Sequence, residues 1–369
     1  MKKIRVLVAD DSAVLRRLIS TVIDGEADME VVGTAENGRT AVEQAKALRP
    51  DVITLDVEMP ILDGLGALKE IRAIQPTTPI IMFSTLTEQG SATTLEALSH
   101  GASDFVAKPS GEGGLGRSIE RIRAELTPRI RSLSRHARTI TSSNRAEAPA
   151  IAKPHQARPP RTNSRIDCVV FAVSTGGPRA LEQVIPQIPK GLGVPLFMVQ
   201  HMPASFTGLL AKRLNTVAQI EIIEATGSHP VQPDKLYLAP GDHHLIVERK
   251  GAAVFTALNE GPPERSCRPA ADVLFRSAAA VYGSGVLAVV LTGMGDDGTL
   301  GAEAIVKANG RVIAQDKATS VVWGMPGSVV QAGLTDCELP LAGIIAEIVQ
   351  RIQAGNGAFA ASRALRTAS

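Results

Sequence analysis

Short apolar runs alternate with longer helix-like segments along this 369-residue chain, and polar side chains follow the runs directly. The runs Ile4–Ala9 and Val52–Leu55 end at Asp10, Asp11 and Asp56. This alternation predicts buried strands of a parallel α/β sheet covered by helices. Because ligands bind such sheets at the carboxyl ends of the strands, the three carboxylates are expected to lie together at one edge.

Crowded carboxylates repel each other unless a cation neutralises them, and an all-oxygen set of ligands suits Mg²⁺. The alternative is a group of solvated loop aspartates that binds nothing. Ser84 follows the run Ile80–Phe83, and Lys108 follows Phe105–Ala107. A hydroxyl and an ammonium at the next strand ends would complete a site for an anionic group attached to Asp56.

With D-V-E-M-P-I-L-D-G beginning at Asp56, residues 1–127 resemble a response-regulator receiver domain. The resemblance implies a flavodoxin-like fold and phosphoryl transfer from a histidine kinase to Asp56. It also implies a Mg²⁺ site and a phosphorylation switch. The expected metal ligands are Asp10 (through water), Asp11, Asp56 and the backbone carbonyl of Glu58, and the expected switch residues are Ser84, Phe105 and Lys108.

Positive charge is concentrated in one segment. Between Thr127 and Ile166 there are nine Lys or Arg residues and one acid, Glu147, in a chain whose formal net charge is +2. This Pro- and Ser-rich segment lacks aromatic residues and cannot bury enough apolar surface to fold, so 128–165 is predicted to be a flexible basic linker. Apolar helical spacing nevertheless continues past Pro128, so the last receiver helix could extend there. A nucleic-acid-binding arm is the alternative, but neither aromatic interleaving nor a helix-turn-helix pattern supports it.

The cysteines and the hydropathy constrain the compartment. Cys168, Cys267 and Cys337 are scattered without metal-ligand spacing, which favours a reducing cytoplasm. No apolar run approaches the roughly 18 residues of a membrane span, and no signal sequence is found, so contact with membranes is expected only through a partner.

A second α/β domain is predicted over residues 166–353, with a disordered tail at 354–369. Strands predicted at Cys168–Val173, Pro195–Gln200 and Val286–Leu291 are each followed by a candidate functional residue. The segment Lys235–Leu258 alternates around turns, which predicts antiparallel hairpins attached to the main sheet.

The residues after those strands are Ser174, His201 and the pair Asp296–Asp297. A hydroxyl, an imidazole and a carboxylate at one sheet edge predict nucleophilic catalysis, with glycines leaving N–H groups free for an oxyanion. The chain lacks the G-x-S-x-G elbow of ordinary α/β-hydrolases. Three alternatives stay open: a phosphate cradle at S-T-G-G-P, a strand-capping role for His201, and a metal site that adds His243 and His244. Spacing does not separate Asp296 from Asp297.

The motifs A-V-S-T-G-G-P, V-Q-H-M-P, Y-L-A-P-G-D-H-H-L, R-P-A-A-D-V-L-F and L-T-G-M-G-D-D-G occur in order behind the receiver. Together they resemble the chemotaxis response-regulator protein-glutamate methylesterases. The resemblance implies a second doubly wound parallel-sheet domain, a three-layer αβα esterase. It also implies that Ser174 is the nucleophile, His201 the base, Asp297 the third triad member, and the N–H of Met294 the oxyanion donor.

The implied reaction is hydrolysis of glutamate γ-methyl esters on chemoreceptors with release of methanol, together with deamidation of receptor glutamines. The implied partners are a chemotaxis histidine kinase and methyl-accepting chemoreceptors, and the esterase chemistry is expected to need no cofactor. A cytoplasmic monomer recruited to membrane receptor arrays is expected, without nucleic acid and without membrane insertion.

The resemblance also implies that the unphosphorylated receiver covers the esterase cleft like a lid. One alternative is a phosphorylation-controlled binding protein without turnover. Another is a transcription regulator, for which no DNA-reading helix pair is found.

Overall fold

A computed structural model of the chain describes residues 2–109, 114–143 and 165–367. The chain divides into two compact units, Met1–Ala150 and Ile151–Ser369, and each is described by itself. In the described ranges, none of the helices combines the length and the apolar character needed to cross a membrane.

The first unit is built on a five-stranded sheet with helices on both faces. Its elements are β1 Ile4–Ala9, α1 Ala13–Asp24, β2 Met29–Ala35, α2 Gly38–Leu48, β3 Val52–Asp56, α3 Gly64–Ile74, β4 Ile80–Ser84, α4 Glu88–Ser99, β5 Asp104–Ala107 and α5 Gly114–Ser143. All strand pairs are parallel, in the order β2-β1-β3-β4-β5. This is the doubly wound flavodoxin-like order, which confirms the predicted fold of this unit.

Short polar side chains start the helices that follow the strands. Ser12, Asn37, Asp63 and Thr87 each accept a hydrogen bond from a backbone N–H in the first turn of α1, α2, α3 and α4. Such caps satisfy N–H groups that have no partner inside the helix. They fix where each helix leaves the carboxyl edge of the sheet, and therefore the shape of the loops around Asp56.

Helix α5 continues further than the predicted linker allows. It includes Pro128 and ends at Ser143, whereas the linker was predicted to begin at residue 128. Ile130 and Leu133 are buried, and the Arg131 guanidinium forms ion pairs with Glu26 and Asp28. The apolar spacing thus outweighs the basic composition, and the predicted linker start is wrong. The rest of the predicted linker, 144–164, lies outside the described residues.

The second unit carries a seven-stranded sheet and a separate two-stranded sheet. Its elements are β6 Cys168–Val173, α6 Gly177–Val184, β7 Leu196–Gln200, α7 Ala204–Val217, β8 Glu221–Glu224, β9 Lys235–Leu238, β10 His244–Lys250, β11 Ala253–Asn259, α8 Ala271–Tyr282, β12 Val286–Val290, α9 Thr299–Lys307, β13 Arg311–Gln315, α10 Met325–Gln331, β14 Cys337–Leu339 and α11 Ile344–Thr367. The large sheet is parallel throughout, in the order β14-β13-β12-β6-β7-β9-β8.

The chain builds this sheet outward from β6, first through β7 and later through β12 on the opposite side. Strands β6, β7 and β12 are buried along their whole length, because helices cover both faces. This arrangement confirms the predicted doubly wound α/β domain. In such sheets the point where strand order reverses, here between β6 and β12, is the usual ligand site.

Two sequence predictions for this unit are wrong. Of the segment predicted as antiparallel hairpins on the main sheet, Lys235–Leu238 pairs in parallel with β7 and β8, and only β10 and β11 are antiparallel, in their own sheet. Leu245 and Val247 of β10 join the core against α8, which explains why the hairpin leaves the main sheet. Helix α11 runs to Thr367, where a disordered tail was predicted from residue 354.

Candidate active site and phosphorylation site

The first unit gathers its predicted acidic residues at the carboxyl edge of β1 and β3. One carboxylate oxygen from each of Asp10, Asp11 and Asp56 lies within 4.8 Å of the others. Lys108 Nζ, after β5, lies 2.6 Å from Asp56 Oδ2 and 3.3 Å from Asp10 Oδ2. The Glu58 N–H donates to Asp56 Oδ1 at 3.2 Å. The structure therefore brings together the acidic and basic side chains that the strand ends predicted.

Burial sets the charge balance in this cluster. Desolvation raises the pKa of Asp56 to about 6, although Lys108 opposes the rise. Burial likewise raises the pKa of Asp10. A divalent cation would stabilise the ionised carboxylates, and their all-oxygen donor set suits Mg²⁺. The residues present therefore fit the expected magnesium site.

The expected switch residues lie on the neighbouring strands. Ser84 is fully buried at the end of β4, where its hydroxyl lies within hydrogen-bond distance of the backbone carbonyls of Thr85 and Gly90, at 3.0 and 3.1 Å, and can donate its proton to either. Phe105, on β5, is also buried. In this structure the Ser84 hydroxyl is bonded to the start of α4, one strand away from Asp56.

In the second unit, Ser174 occupies the turn between β6 and α6. Its N–H donates to the Thr292 carbonyl at 3.0 Å, and its own carbonyl accepts from Gly177 N–H at 2.7 Å. Gly176 has a left-handed φ of 78°, and a Cβ there would lie 2.6 Å from Val321. A residue with a side chain would therefore displace the turn that presents Ser174.

The loop after β12 packs directly against this turn. A Cβ added to Gly293 would lie 2.9 Å from the Cβ of Ser174. The neighbouring Met294 N–H donates to no protein acceptor within the described ranges. The expected oxyanion donor is thus next to the serine turn with its hydrogen available.

The structure joins His201 to Asp297. His201 Nε2 lies 2.7 Å from Asp297 Oδ2. The same carboxylate accepts hydrogen bonds from the backbone N–H groups of Ala271, Asp272 and Gly298 at 2.6, 2.9 and 2.9 Å. Two of these donors belong to the first turn of α8, so the positive end of that helix dipole faces the carboxylate.

The two aspartates that spacing could not separate have different surroundings. Asp297 is buried beside His201, whereas Asp296 is half exposed and pairs with Arg265 at 3.0 Å. Burial is the largest single influence and opposes charge on both His201 and Asp297, but the favourable interactions together outweigh it. They are the hydrogen bond and charge attraction between the two groups, the Cys267 contact for His201, and the backbone N–H donors for Asp297. The pKa of His201 is raised and the pKa of Asp297 is lowered. The pair therefore favours an imidazolium beside a carboxylate.

Because Asp297 binds Nε2, the Nδ1 atom of His201 is the nitrogen left to exchange a proton with another group. The Cys267 sulfur lies 3.7 Å from this Nδ1. Sequence reasoning found no role for Cys267, because the cysteines have no characteristic spacing. The sequence offered one clue to Cys267, which is that it lies two residues before Pro269 and just ahead of α8.

Gln200 is a second residue that sequence reasoning missed. It is buried at the end of β7, and its Nε2 donates to the backbone carbonyls of Ser174 and His201 at 3.1 and 3.3 Å. One amide group thereby ties the serine turn to the histidine turn. A polar residue directly before His201 in an otherwise apolar strand was the available signal.

The other two histidines of the alternative metal site, His243 and His244, are engaged by other partners. Both ring nitrogens of His244 are within hydrogen-bond distance of backbone groups, of Pro262 and of Ala270. His243 lies near Glu260 on the surface. Among the described residues, the group of potential metal ligands that forms is Asp10, Asp11 and Asp56. The geometry gives no support to a histidine metal site.

Comparison with known proteins matches both units. The family model "CheB methylesterase" matches residues 169–348, and the model "Response regulator receiver domain" matches residues 6–120. A protein-glutamate methylesterase/protein-glutamine glutaminase from Nocardioides is 49% identical, over 95% of this chain and 96% of that protein. Proteins with the same name from Trichodesmium erythraeum and Thermotoga maritima are each 42% identical, over 95% of this chain and 100% and 98% of theirs. This chain therefore belongs to the family of protein-glutamate methylesterase/protein-glutamine glutaminases that carry a response-regulator receiver domain.

Proposed function

We propose that this chain hydrolyses glutamate γ-methyl esters on the cytoplasmic parts of chemoreceptors, releases methanol, and also deamidates receptor glutamines. Hydrolysis of both kinds follows from membership of the family. The observation that carries the mechanism is the His201 Nε2–Asp297 Oδ2 distance of 2.7 Å at the strand edge that also bears Ser174.

In the proposed mechanism the Ser174 hydroxyl attacks the ester carbonyl and His201 takes its proton. The accepting nitrogen is Nδ1, because Nε2 is held by Asp297. The Met294 N–H stabilises the oxyanion that forms on the carbonyl oxygen. Collapse of the intermediate breaks the bond to the methoxy oxygen, which leaves as methanol with the proton from His201. Water then hydrolyses the acyl-enzyme by the same steps and restores the glutamate carboxylate.

The backbone around Asp297 has a definite part in this chemistry. Three N–H donors hold its carboxylate in one orientation and keep it ionised. An ionised, fixed carboxylate keeps a proton on Nε2 of His201 and so leaves Nδ1 as the acceptor in the neutral ring. It also stabilises the imidazolium formed during attack.

For the receiver, we propose that Asp56 accepts a phosphoryl group from the phosphohistidine of a chemotaxis histidine kinase. Mg²⁺ held by Asp10, Asp11, Asp56 and the Glu58 carbonyl would neutralise the charge that develops in this transfer. Lys108 Nζ already lies 2.6 Å from Asp56 Oδ2 and can form an ion pair with an oxygen of the new phosphoryl group. Ser84, bonded here to Thr85 and Gly90, is free to exchange these partners for a phosphoryl oxygen.

Phosphorylation is proposed to raise esterase activity. A phosphoryl group adds charge and strong acceptors, and it biases an equilibrium between inactive and active states by interacting differently with the two.

The proposed setting is a cytoplasmic monomer recruited to membrane receptor arrays, acting without nucleic acid. Sensory adaptation follows, since removing methyl groups reverses the action of a receptor methyltransferase.

The test is methanol release from membranes that carry methylated chemoreceptors. The full chain should release methanol faster with acetyl phosphate and Mg²⁺ than without them, and Ser174→Ala should release none above background. Ser266→Ala, at an exposed serine, serves as the matched control and should keep full activity. Turnover by Ser174→Ala at the wild-type rate would rule out the serine mechanism.

A further inference from the structure

The tight turn Glu264–Cys267 lies next to His201 and has an unusual backbone. Glu264 and Cys267 exchange backbone hydrogen bonds of 3.1 and 2.8 Å. The two central residues, Arg265 and Ser266, have φ values of 51° and 61°. Positive φ at both central positions defines a type I′ turn, which normally favours glycine or asparagine. Neither is present here, so the surrounding structure must impose the conformation.

Side-chain contacts hold the turn on both sides. Arg276, on α8, pairs with Glu264 at 2.5 Å. Arg265 pairs with Asp296, two residues beyond the proposed oxyanion donor Met294, at 3.0 Å. The turn is therefore fixed both to α8 and to the loop after β12.

This turn brings the Cys267 sulfur to 3.7 Å from Nδ1 of His201. Asp297 holds the opposite ring nitrogen, Nε2, at 2.7 Å. The imidazole therefore has a neighbour at each nitrogen. Cys267 comes from the turn just before α8, and Asp297 comes from the loop after β12 and accepts from the first N–H groups of α8. The titratable groups in contact with the ring are Asp297 and Cys267. Asp272 follows through its backbone N–H, which donates to Asp297, and the half-exposed Arg265–Asp296 pair joins the two segments that carry Cys267 and Asp297.

We propose that Cys267 is a positioning residue that acts through His201. Its sulfur contacts Nδ1 weakly, at 3.7 Å, and limits rotation of the ring. Once the imidazolium has formed, the sulfur shares the Nδ1–H as a second, weaker acceptor beside the Ser174 oxygen. Cys267 forms no covalent bond: the proton passes from Ser174 to Nδ1 and then to the methoxy oxygen. The inference rests on the proposed serine mechanism.

The test compares Cys267→Ala, Cys267→Val and Cys267→Ser in the full chain with acetyl phosphate and Mg²⁺. Methanol release from methylated chemoreceptor membranes gives kcat, KM and the pH profile for each. The apolar variants should lose about tenfold in kcat, equivalent to about 1.4 kcal/mol, with KM unchanged. Their acidic limb should move to lower pH, because the imidazolium loses an acceptor. Cys267→Ser keeps a polar atom and should stay within about threefold of wild type.

Two controls separate this inference from the proposed function. Ser266→Ala alters the same turn but keeps a Cβ at its left-handed position, so its kinetics should match wild type. Ser174→Ala, run in parallel, should be inactive; if it turns over, the proposed function fails. If Ser174→Ala is inactive while a folded Cys267→Val keeps the wild-type kcat and acidic limb, the positioning role alone is wrong. Equal losses in the serine and valine variants would also overturn it, because they would show a requirement for shape only.

Discussion

Replacing Asp297 with asparagine should nearly abolish turnover, whereas the same change at Asp296 should do little. The Asp297 carboxylate accepts from His201, Ala271, Asp272 and Gly298. An amide has one acceptor oxygen, so its NH₂ must face either the His201 and Ala271 donors or the Asp272 and Gly298 donors. Leaving such donors without an acceptor costs about 1–3 kcal/mol each, or about 2–6 kcal/mol of stability in total.

Asp297→Asn should also lower kcat strongly, beyond its cost in folding stability. An amide that faces His201 with its NH₂ reverses the ring tautomer and puts a proton on Nδ1, where the serine proton must go. The corresponding change in a serine protease lowers kcat roughly 10⁴-fold, and we expect about 10³- to 10⁴-fold here. Asp296 is half exposed and pairs only with the half-exposed Arg265. Such a pair contributes at most about 1 kcal/mol, so Asp296→Asn should cost no more than about fivefold.

The assay is methanol release at saturating phosphodonor, with circular dichroism and thermal unfolding to show that each variant is folded. Lys307→Ala, which removes an exposed ion pair on α9, controls for loss of a surface charge interaction. If Asp296→Asn is the more damaging change, the choice between the two neighbours is wrong. A folded Asp297→Asn that retains a tenth of wild-type kcat would show that His201 does not depend on this carboxylate.

Three further predictions follow from the charges and the two sites. Because Asp297 raises the pKa of His201 and the base must be unprotonated, kcat/KM should increase with pH through a pKa above the ordinary 6.5 of histidine, and a limb at or below 6.5 would contradict this. Chelation of Mg²⁺ should abolish phosphorylation of Asp56 by acetyl phosphate without affecting methanol release by a 166–369 fragment; strong inhibition of that fragment would revive a metal site in the esterase. Asp56→Asn should remove activation by the phosphodonor and leave the activity of the unphosphorylated chain unchanged. If the 166–369 fragment were slower than the unphosphorylated full chain, the receiver would be required for activity.

The sites were predictable from the sequence to the extent that strand ends determine them. Asp10, Asp56 and Lys108 each follow a buried run, so the sheet alone brings them together. The same reasoning placed Ser174 and His201 at one edge of the second sheet. It could not choose Asp297 over Asp296, because that choice depends on the N–H groups of α8, which begins 26 residues before Asp297 and meets it only in three dimensions.

Other features depend on packing that no local pattern records. The alternation in Lys235–Leu258 is compatible with either strand direction, whereas β9 in fact lies between β7 and β8 and pairs in parallel with both. The position of Cys267 depends on a left-handed turn at Arg265 and Ser266, and the sequence has no glycine there from which such a turn could be predicted. In α5 the apolar spacing of Ile130 and Leu133 did indicate that the helix could continue past Pro128, but the linker boundary was placed by the basic, Pro-containing composition instead.

The central claim is that Ser174 attacks the acyl carbon of a glutamyl ester, and the most direct test follows oxygen through the reaction. Methylated chemoreceptor membranes are incubated with the phosphorylated full chain in water enriched in heavy oxygen, and both products are analysed by mass spectrometry. Cleavage of the acyl–oxygen bond puts the heavy oxygen into the glutamate carboxylate and leaves methanol unlabelled, and Ser174→Ala gives neither product. Added hydroxylamine should divert part of the acyl-enzyme to a glutamyl hydroxamate, which separates attack by Ser174 from direct attack by water. Heavy oxygen in the methanol, or labelled glutamate from Ser174→Ala at the wild-type rate, would contradict the account.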